Sequence, residues 1–334
     1  MEIITINTAA LIKVFGLAAI SFLLAFIWTP ILTNILYKYK VWKKTKKIGA
    51  PIMSRLHRGK ENTPTMGGLL VWLTVFVVTM VLNLSRSQTY LPVFALATTG
   101  VLGALDDLIN IKTGGGMKAR YKLIWLIAIA ALGAWWFYSK LEFSSIHIPA
   151  VGDFEIGWWY VPLFVLVIIS AANSVNITDG LDGLAGGLLA MAYLAFGVIA
   201  FAGGQFGIAG FCATVAGALL AFLWFNIPPA RFFMGDTGSL ALGATLGVIA
   251  MLTNSVLVLP VIGFVFVMET LSVIIQRCSK GLRGGKKIFI STPIHHHFEA
   301  LGWPETKVTM RFWIIGAVVA VVGLVIGLIG RGVF

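Results

Sequence analysis

Charged residues are scarce in this sequence: they make up 11% of its 334 residues, against 58% that are hydrophobic. Soluble domains carry about 25% charged residues, so the composition excludes an ordinary water-soluble globular protein. The mean hydropathy of +0.93 supports the same conclusion. The sequence therefore predicts an integral membrane protein.

Cysteine is also scarce, with only Cys212 and Cys278, which lie far apart in or beside apolar stretches. Two such residues form neither a disulfide framework nor a metal site, and we expect them to be small buried hydrophobic side chains. A cleaved signal peptide is not indicated, because the apolar run 11–36 is too long for one. We interpret that run as the first membrane span.

Long apolar runs, in contrast, fill most of the chain. A helix needs about 20 apolar residues to cross the hydrocarbon core of a bilayer. We predict an all-α integral membrane fold of about ten transmembrane helices, at 9–37, 67–84, 91–108, 122–138, 158–176, 183–203, 207–226, 236–253, 255–276 and 311–330. No soluble domain is evident, so residues 1–334 are interpreted as a single polytopic domain. Glycines such as Gly217 and Gly243 are expected to permit close helix packing.

Lysine and arginine are distributed unevenly, since 21 of the 25 lie in connectors that follow odd-numbered spans. The positive-inside rule places those connectors in the cytoplasm and both termini outside it. The net charge of +12 is therefore expected to meet anionic membrane lipid, for example through the run 38–47, and not nucleic acid. The segment 139–157, with its alternating pattern and central turn residues, predicts a short external β-hairpin.

Acidic residues number only thirteen, and five aspartates fall at the predicted cytoplasmic ends of spans: Asp106, Asp107, Asp179, Asp182 and Asp236. Carboxylates at membrane depth are costly and usually functional. Mg²⁺ binds one or two carboxylates together with substrate phosphates, so the set predicts a Mg²⁺ site for a phosphorylated substrate. The alternative is that these aspartates are solvated residues that cap helix ends.

Two of these aspartates are adjacent, in GALDDLIN. Adjacent carboxylates do not both ionise cheaply without a cation, so we expect one to hold its proton and act as a base. The segment NSVNITDGLDGLAGG then places Asn176, Asp179 and Asp182 where lipid offers no partner. A helix N-terminus near Gly183 is expected to donate amides to an anion. The alternative is a tight turn with an aspartate as helix cap.

The segment FNIPPARFFMGDTGS places Asp236 beside Gly235, as a Mg²⁺ ligand or as a helix cap. Its adjacent phenylalanines, Phe232 and Phe233, are expected either to stack on a base or to anchor the chain at the membrane interface.

The segment STPIHHHFE contains three adjacent histidines, His295–His297. They cannot all face one metal ion, because ligands on a helix need i, i+4 spacing. We expect one or two to donate to a phosphate or a ribose. Lys60, and the cations Lys118, Arg120 and Lys122 after the acidic pair, are placed to meet phosphates.

The motifs TPTMGG, GALDD, NSVNITDGLDGLAGG, FNIPPARFFMGDTGS and PIHHHFE occur in this order along essentially the whole chain. In this the sequence resembles the bacterial phospho-N-acetylmuramoyl-pentapeptide transferase (MraY) family, within the polyprenyl-phosphate N-acetylhexosamine-1-phosphate transferase superfamily. The histidine triplet looks specific to that family. The resemblance implies a multi-pass enzyme of the bacterial cytoplasmic (inner) membrane. It would use Mg²⁺ to transfer phospho-MurNAc-pentapeptide from UDP-MurNAc-pentapeptide to undecaprenyl phosphate, forming lipid I and UMP.

The resemblance also implies roles for individual residues. Asp106 would deprotonate the lipid phosphate beside Asp107, and Asp236 would hold Mg²⁺ on the pyrophosphate. His295 would complete the catalytic set, and Phe233 would stack on uracil. Substrate binding would involve Lys60, Thr65, Lys122, Asn176, Asp179, Gly180, Leu181, Asp182, Asn226, Gly235, Gln276, His296 and His297. Relatives often carry further lysines after the acidic pair, where this chain has the run 114–116 and only Lys112 to replace them.

Two other functions stay open at this point. A sister enzyme that transfers GlcNAc-1-phosphate would share the aspartate motifs, although PIHHHFE argues against it. A secondary transporter would show inverted repeats and charges at the membrane midplane, whereas most span interiors here are free of charge and Glu269 is the exception. The sequence leaves the oligomeric state open, a homodimer included.

Overall fold

A computed structural model describes residues 7–42, 60 and 62–329, which are mostly helical. The helices are α1 (Thr8–Lys38), α2 (Gly68–Leu82), α3 (Tyr90–Thr113), α4 (Ala119–Lys140), α5 (Tyr160–Thr178), α6 (Leu184–Ala202), α7 (Phe206–Asn226), α8 (Gly235–Leu252), α9 (Leu259–Ile262), α10 (Phe264–Leu282), α11 (Ile294–Ala300) and α12 (Glu305–Leu328). Between α4 and α5 lie strands β1 (Ser145–Ile148) and β2 (Gly152–Glu155) and a 3₁₀ turn (Gly157–Trp159). The expectation of a helical fold is confirmed for these residues.

Eight of the described helices are long and apolar enough to cross a membrane, namely α1, α3 to α8 and α12. Helix α2 is equally apolar but has only 15 residues, which at the usual helical rise make it about 22 Å long. The chain is therefore a multi-pass membrane protein. The count of ten spans and the side on which the termini lie stay predictions.

The stretch 255–276, predicted as one span, is divided in the structure. Helix α9 ends at Ile262 and α10 begins at Phe264, with Gly263 between them. The buried side chains of α10 from its second turn onward are all polar and recur every three or four residues: Glu269, Ser272, Gln276 and Ser279. The polar face of α10 thus points into the protein and its apolar face points outward. Because an outward apolar face is also what a membrane span has, the sequence predicts an ordinary apolar span here.

Both cysteines are free thiols among the described residues, which agrees with the expectation that they form no disulfide. Cys212 in α7 is buried as predicted. The expectation is wrong for Cys278, which is exposed because it lies on the outward face of α10.

Helix α8 forms the centre of the bundle and is buried along almost its whole length. It packs against α3 and α5, while α7 packs against α1 and α6. A Cβ atom on Gly217 would lie 2.2 Å from Ala18 O, and one on Gly243 would lie 2.7 Å from Ala171 O. These distances confirm that the two glycines permit close packing. Helices α3 and α5 end where α8 begins, so their terminal residues meet at one end of the bundle.

The predicted hairpin within 139–157 is confirmed, because β1 and β2 pair antiparallel with Ser145 opposite Glu155. Its backbone is held to the loop after α8 by Asn254, whose Oδ1 accepts a hydrogen bond of 3.0 Å from His147 N. That loop follows the C-terminal end of α8, whereas Asp236 lies at its beginning. The hairpin and the aspartates therefore lie at opposite ends of the protein.

Candidate active site

Three aspartates and one lysine meet where α3 ends and where α4 and α8 begin. Lys122 Nζ lies 2.6 Å from Asp236 Oδ2 and also contacts Asp106 Oδ2, so it joins the two carboxylates. The loop 114–116 turns the chain back so that Met117 N donates to Asp106 Oδ1. The glycine run that replaces the expected lysines therefore shapes the backbone around Asp106.

Asp107, the second residue of the acidic pair, is buried and holds the beginning of α8. Its Oδ2 accepts hydrogen bonds from Thr237 N (3.0 Å) and Thr237 Oγ1 (2.8 Å), and its Oδ1 lies 3.5 Å from Thr65 Oγ1. Gly235 has a φ of +71°, and a Cβ there would lie 2.5 Å from both Asp107 Oδ2 and Thr65 Oγ1. Only glycine fits this position without strain.

The TPTMGG segment lies against the FFMG segment through backbone hydrogen bonds. Phe233 N donates to Pro64 O (2.8 Å), Gly67 N to Phe233 O (2.8 Å) and Gly68 N to Met234 O (2.9 Å). Two motifs that are far apart in the sequence are thus adjacent in the fold, and Thr65 is placed beside Asp107.

The polar end of α5 also supports the beginning of α8. Asp179 Oδ2 accepts a hydrogen bond of 3.0 Å from Gly235 N, and Asn176 Nδ2 donates to Ser239 Oγ at 2.8 Å. These two residues, predicted to bind substrate, hold α8 in place in this structure.

A second ionic cluster surrounds Lys60, whose Nζ lies 2.7 Å from Asp182 Oδ1 and 2.6 Å from Glu305 Oε1. Asp182 Oδ2 accepts a hydrogen bond of 3.1 Å from Ala230 N. Burial raises the pKa of the Asp182 carboxyl above its ordinary value, and Lys60 lowers this pKa only in part. The cluster ties the loop after α5 to the beginning of α12.

The amides of residues 182 and 183, predicted to donate to an anion, both bind protein groups in this structure. Asp182 N donates to Glu305 Oε1 (2.7 Å) and Gly183 N donates to Asn226 Oδ1 (2.9 Å). Asn226 Nδ2 in turn donates to Phe232 O (2.8 Å). Asn226 and the neighbouring Leu181 are buried. The segment is therefore fixed by protein groups that the sequence does not place near it.

The two adjacent phenylalanines differ in exposure. Phe232 is fully buried and packs against Phe222 and Phe225, so it is not available for stacking on a ligand. Phe233 is half-buried, with Lys60 Nζ 5.8 Å from its ring centre. Only Phe233 keeps the predicted role.

The first histidine of the triplet points back toward the aspartate segments. His295 is fully buried, and its Nδ1 lies 2.9 Å from Glu269 Oε2. A Cβ on Gly180 would lie 2.3 Å from His295 Nε2, so this nitrogen lies against the backbone of Gly180. Neither Nε2 of His295 nor Oε1 of Glu269 has a hydrogen-bond partner among the residues that the structure describes. The pair is a buried polar group with capacity for another partner.

The other two histidines and Gln276 have structural partners. His296 Nδ1 lies 2.7 Å from Glu299 Oε2, and His297 Nδ1 accepts a hydrogen bond from Ile290 N (3.2 Å). Gln276 binds the backbone of residues 288 and 289 through three hydrogen bonds of 2.8–3.1 Å. Gln276 and His297 therefore fix the loop between α10 and α11, whereas the contact of His296 lies within α11.

Among the described residues, no three His, Cys, Asp or Glu side chains form a ready metal-binding group. Mg²⁺ needs only one or two carboxylates, because substrate phosphates supply other ligands. The ammonium of Lys122 marks a cation position between Asp106 and Asp236. The oxygen donors at this position are of the type that Mg²⁺ prefers.

Three contributors to the site were missed by the sequence reasoning: Thr237, Glu269 and Glu305. Glu269 stood out as an acid within an apolar stretch, and such residues are functional candidates by default. Thr237 lies within the FNIPPARFFMGDTGS motif, but the sequence gave no partner for it or for Glu305, because those partners lie 130 and 123 residues away.

Two findings define the class of this protein. The first is an acidic site, bridged by a lysine, at the ends of apolar helices, and the second is a sequence match. Residues 90–254 match the family described as glycosyl transferase family 4. The molecule is therefore a membrane-embedded transferase.

Its relatives define the family more closely. The chain is 41% identical over 316 residues to phospho-N-acetylmuramoyl-pentapeptide-transferase of Geobacillus thermodenitrificans, covering 92% of this chain and 96% of the relative. It is 41% identical to the enzyme of that name in Chloroflexus aurantiacus, covering 94% and 89%. For the Bacillus anthracis enzyme the identity is 40%, covering 93% and 96%. The chain belongs to the phospho-N-acetylmuramoyl-pentapeptide-transferase family, which confirms the resemblance of the motifs.

Proposed function

We propose that this protein transfers phospho-MurNAc-pentapeptide from UDP-MurNAc-pentapeptide to undecaprenyl phosphate in the bacterial cytoplasmic membrane, forming lipid I and UMP. The observation that carries the proposal is the bridge from Asp106 through Lys122 to Asp236, at the ends of membrane helices. Phosphoryl transfer needs positioning and charge neutralisation more than covalent chemistry. A site that combines carboxylates and a lysine at the ends of apolar helices suits a reaction between a soluble substrate and a lipid substrate.

In this proposal Asp236 would hold Mg²⁺, which when bound would neutralise charge on the pyrophosphate of the nucleotide sugar. Lys122 is expected to move from the carboxylates to substrate phosphates, because phosphate oxygens compete for its ammonium. Its departure leaves Asp106 Oδ2 free to accept the proton of the lipid phosphate. Asp107 keeps α8 in position during these changes.

The nucleoside is proposed to bind beside Phe233, with uracil stacked on its half-buried ring. Lys60 lies next to this ring, so it is placed to meet the attached phosphates or ribose. His295 Nε2 is buried and has no partner within the described part of the chain, and we assign it to a polar group of the substrate near Gly180.

The proposal is tested by measuring UMP release from purified protein with Mg²⁺ and undecaprenyl phosphate. We expect release with UDP-MurNAc-pentapeptide and none with UDP-GlcNAc. Release with UDP-GlcNAc alone would favour the sister enzyme, and movement of a solute across vesicles without UMP release would favour a transporter.

The roles of the aspartates are tested separately. Asp236→Asn and Asp107→Asn are each expected to abolish UMP release, the first through the cation site and the second through the position of α8. Glu142→Asn, at an exposed acid near the hairpin, serves as a control and should keep full activity. Full activity in either aspartate variant would remove that residue from the mechanism.

A further inference from the structure

A groove lies at the end of the protein opposite the aspartates, between the end of α2, the beginning of α3 and the last turns of α4. Its volume is about 510 Å³, and its lining is almost wholly apolar, including Leu84, Phe94, Leu132 and Trp135. Leu132 and Trp135 are more than half exposed, so the groove opens to the side of the bundle. Ligand pockets usually have volumes of about 300–1,000 Å³, and this one offers hydrocarbon contacts over most of its surface.

A more polar cavity of about 340 Å³ continues from this groove, and Trp136 lines both. The second cavity is also lined by Arg86, Ser87 and Lys140, which are exposed. Neither cation forms an ion pair with any carboxylate in the part of the chain that the structure describes. The mouth of an apolar groove therefore carries two cations and a hydroxyl group.

The position of these cations is unusual for this chain. Arg86 and Lys140 are two of only four Lys and Arg residues outside the connectors predicted to be cytoplasmic. Aromatic side chains surround the groove at the same level, among them Tyr90, Trp135 and Trp136. Tyrosine and tryptophan concentrate at the level of lipid headgroups, so the cations lie where headgroup phosphates lie and the apolar groove extends into the hydrocarbon region.

We propose that this groove is a binding site for an anionic phospholipid of the membrane, such as phosphatidylglycerol. The phosphate lies between Arg86 and Lys140, and an acyl chain lies along Leu132 and Trp135. The charge and the apolar lining complement the two halves of such a lipid, whereas an apolar partner helix would leave both cations unpaired. The site is separate from the aspartates and is not assigned to the lipid substrate.

The proposal is tested by native mass spectrometry of the full chain, titrated with phosphatidylglycerol or with phosphatidylcholine of the same acyl chains. We expect phosphatidylglycerol to bind more tightly. Arg86→Gln and Lys140→Gln should each weaken its binding by about fivefold, because one surface cation is removed, and should leave phosphatidylcholine binding unchanged.

A matched control removes a cation outside the groove. Lys13 is exposed near the beginning of α1, and Lys13→Gln is expected to keep full phosphatidylglycerol binding. Leu132→Trp fills the groove and should weaken the binding of both lipids.

Equal affinity of wild type and both groove variants for phosphatidylglycerol would overturn the proposal, as would an equal loss in Lys13→Gln. A two-chain species that Leu132→Trp abolishes, with lipid binding unchanged, would overturn it in favour of a second copy of this chain. The glutamine substitutions lie at exposed positions, so they test the proposal even where the tryptophan variant folds poorly.

Discussion

Lys122 joins two carboxylates on different helices, and its charge is the only one contacting both Asp106 and Asp236 among the described residues. Lys122→Met should reduce UMP release by about 100-fold, because a charge that is positioned to meet the phosphates is lost. Lys280→Met, at an exposed lysine near the end of α10, is the matched control and should retain activity. The two rates of UMP release, with melting temperatures to confirm folding, check this prediction.

Gly235 provides a steric test of the same site. Gly235→Ala is expected to destabilise the protein by about 1–3 kcal/mol, because its left-handed backbone and the nearby Asp107 oxygen leave no room for a methyl group. Gly115→Ala, where the added methyl meets nothing within 4 Å, should be tolerated. Melting temperatures of both variants in detergent decide the matter, and a stable Gly235→Ala protein would contradict the packing described here.

Asp182 predicts a dependence of stability on pH. Its pKa is raised in the folded protein, so above the ordinary value of 3.8 the unfolded chain loses this proton before the folded one does. The contribution of Asp182 to stability is therefore fully present below that value and is lost as pH rises through the raised pKa. The melting temperature of wild type relative to Asp182→Asn should fall over this window and then level off. A melting-temperature difference that rises with pH would mean that Lys60 lowers the pKa of Asp182 more than burial raises it.

Helices α10 and α11 are coupled through the buried pair of Glu269 and His295. Glu269 Oε2 orients the imidazole so that Nε2 points at Gly180. Glu269→Gln keeps the size of the side chain but removes its charge, and we expect UMP release to fall about tenfold, as for lost orienting partners elsewhere. Unchanged UMP release in Glu269→Gln would make the pair purely structural.

At the level of helices, the apolar runs predicted most elements well, because span length and hydropathy are local properties. The division at Gly263 could not be predicted, since the apolar run is continuous across it and the polar stripe of α10 begins only at Glu269. The hairpin was predictable from its turn residues. The sequence predicts that glycines permit close helix packing. It does not predict which residues they contact, because that depends on which helices meet.

The whole molecule has a pronounced charge asymmetry, which predicts that its C-terminus lies outside the cytoplasm. Alkaline phosphatase fused to the C-terminus should be active, since it needs an oxidising compartment, and a fluorescent protein fused there should be dark. A fusion after residue 285, within a connector predicted to be cytoplasmic, should give the opposite result. The reverse pattern of activity and fluorescence would show that the predicted topology is inverted.

At this scale the sequence predicts that five aspartates share one end of the bundle, and the structure places them there in two clusters. The sequence could not predict which of the charged side chains pair with one another. Lys122 meets Asp236 across 114 residues, and Lys60 meets Glu305 across 245. The difference between Phe232 and Phe233 was equally hidden, because a loop gives neighbouring side chains no periodicity.

The pairing of Lys60 with Glu305 has a consequence for how the protein is made. Lys60 leaves the ribosome long before its partner Glu305. The TPTMGG segment likewise leaves the ribosome long before residues 233 and 234, with which it forms backbone hydrogen bonds. The site therefore stays incomplete until the last helix is synthesised. A chain interrupted during translation can already occupy the membrane, yet it lacks the contacts that close the site and is expected to release no UMP.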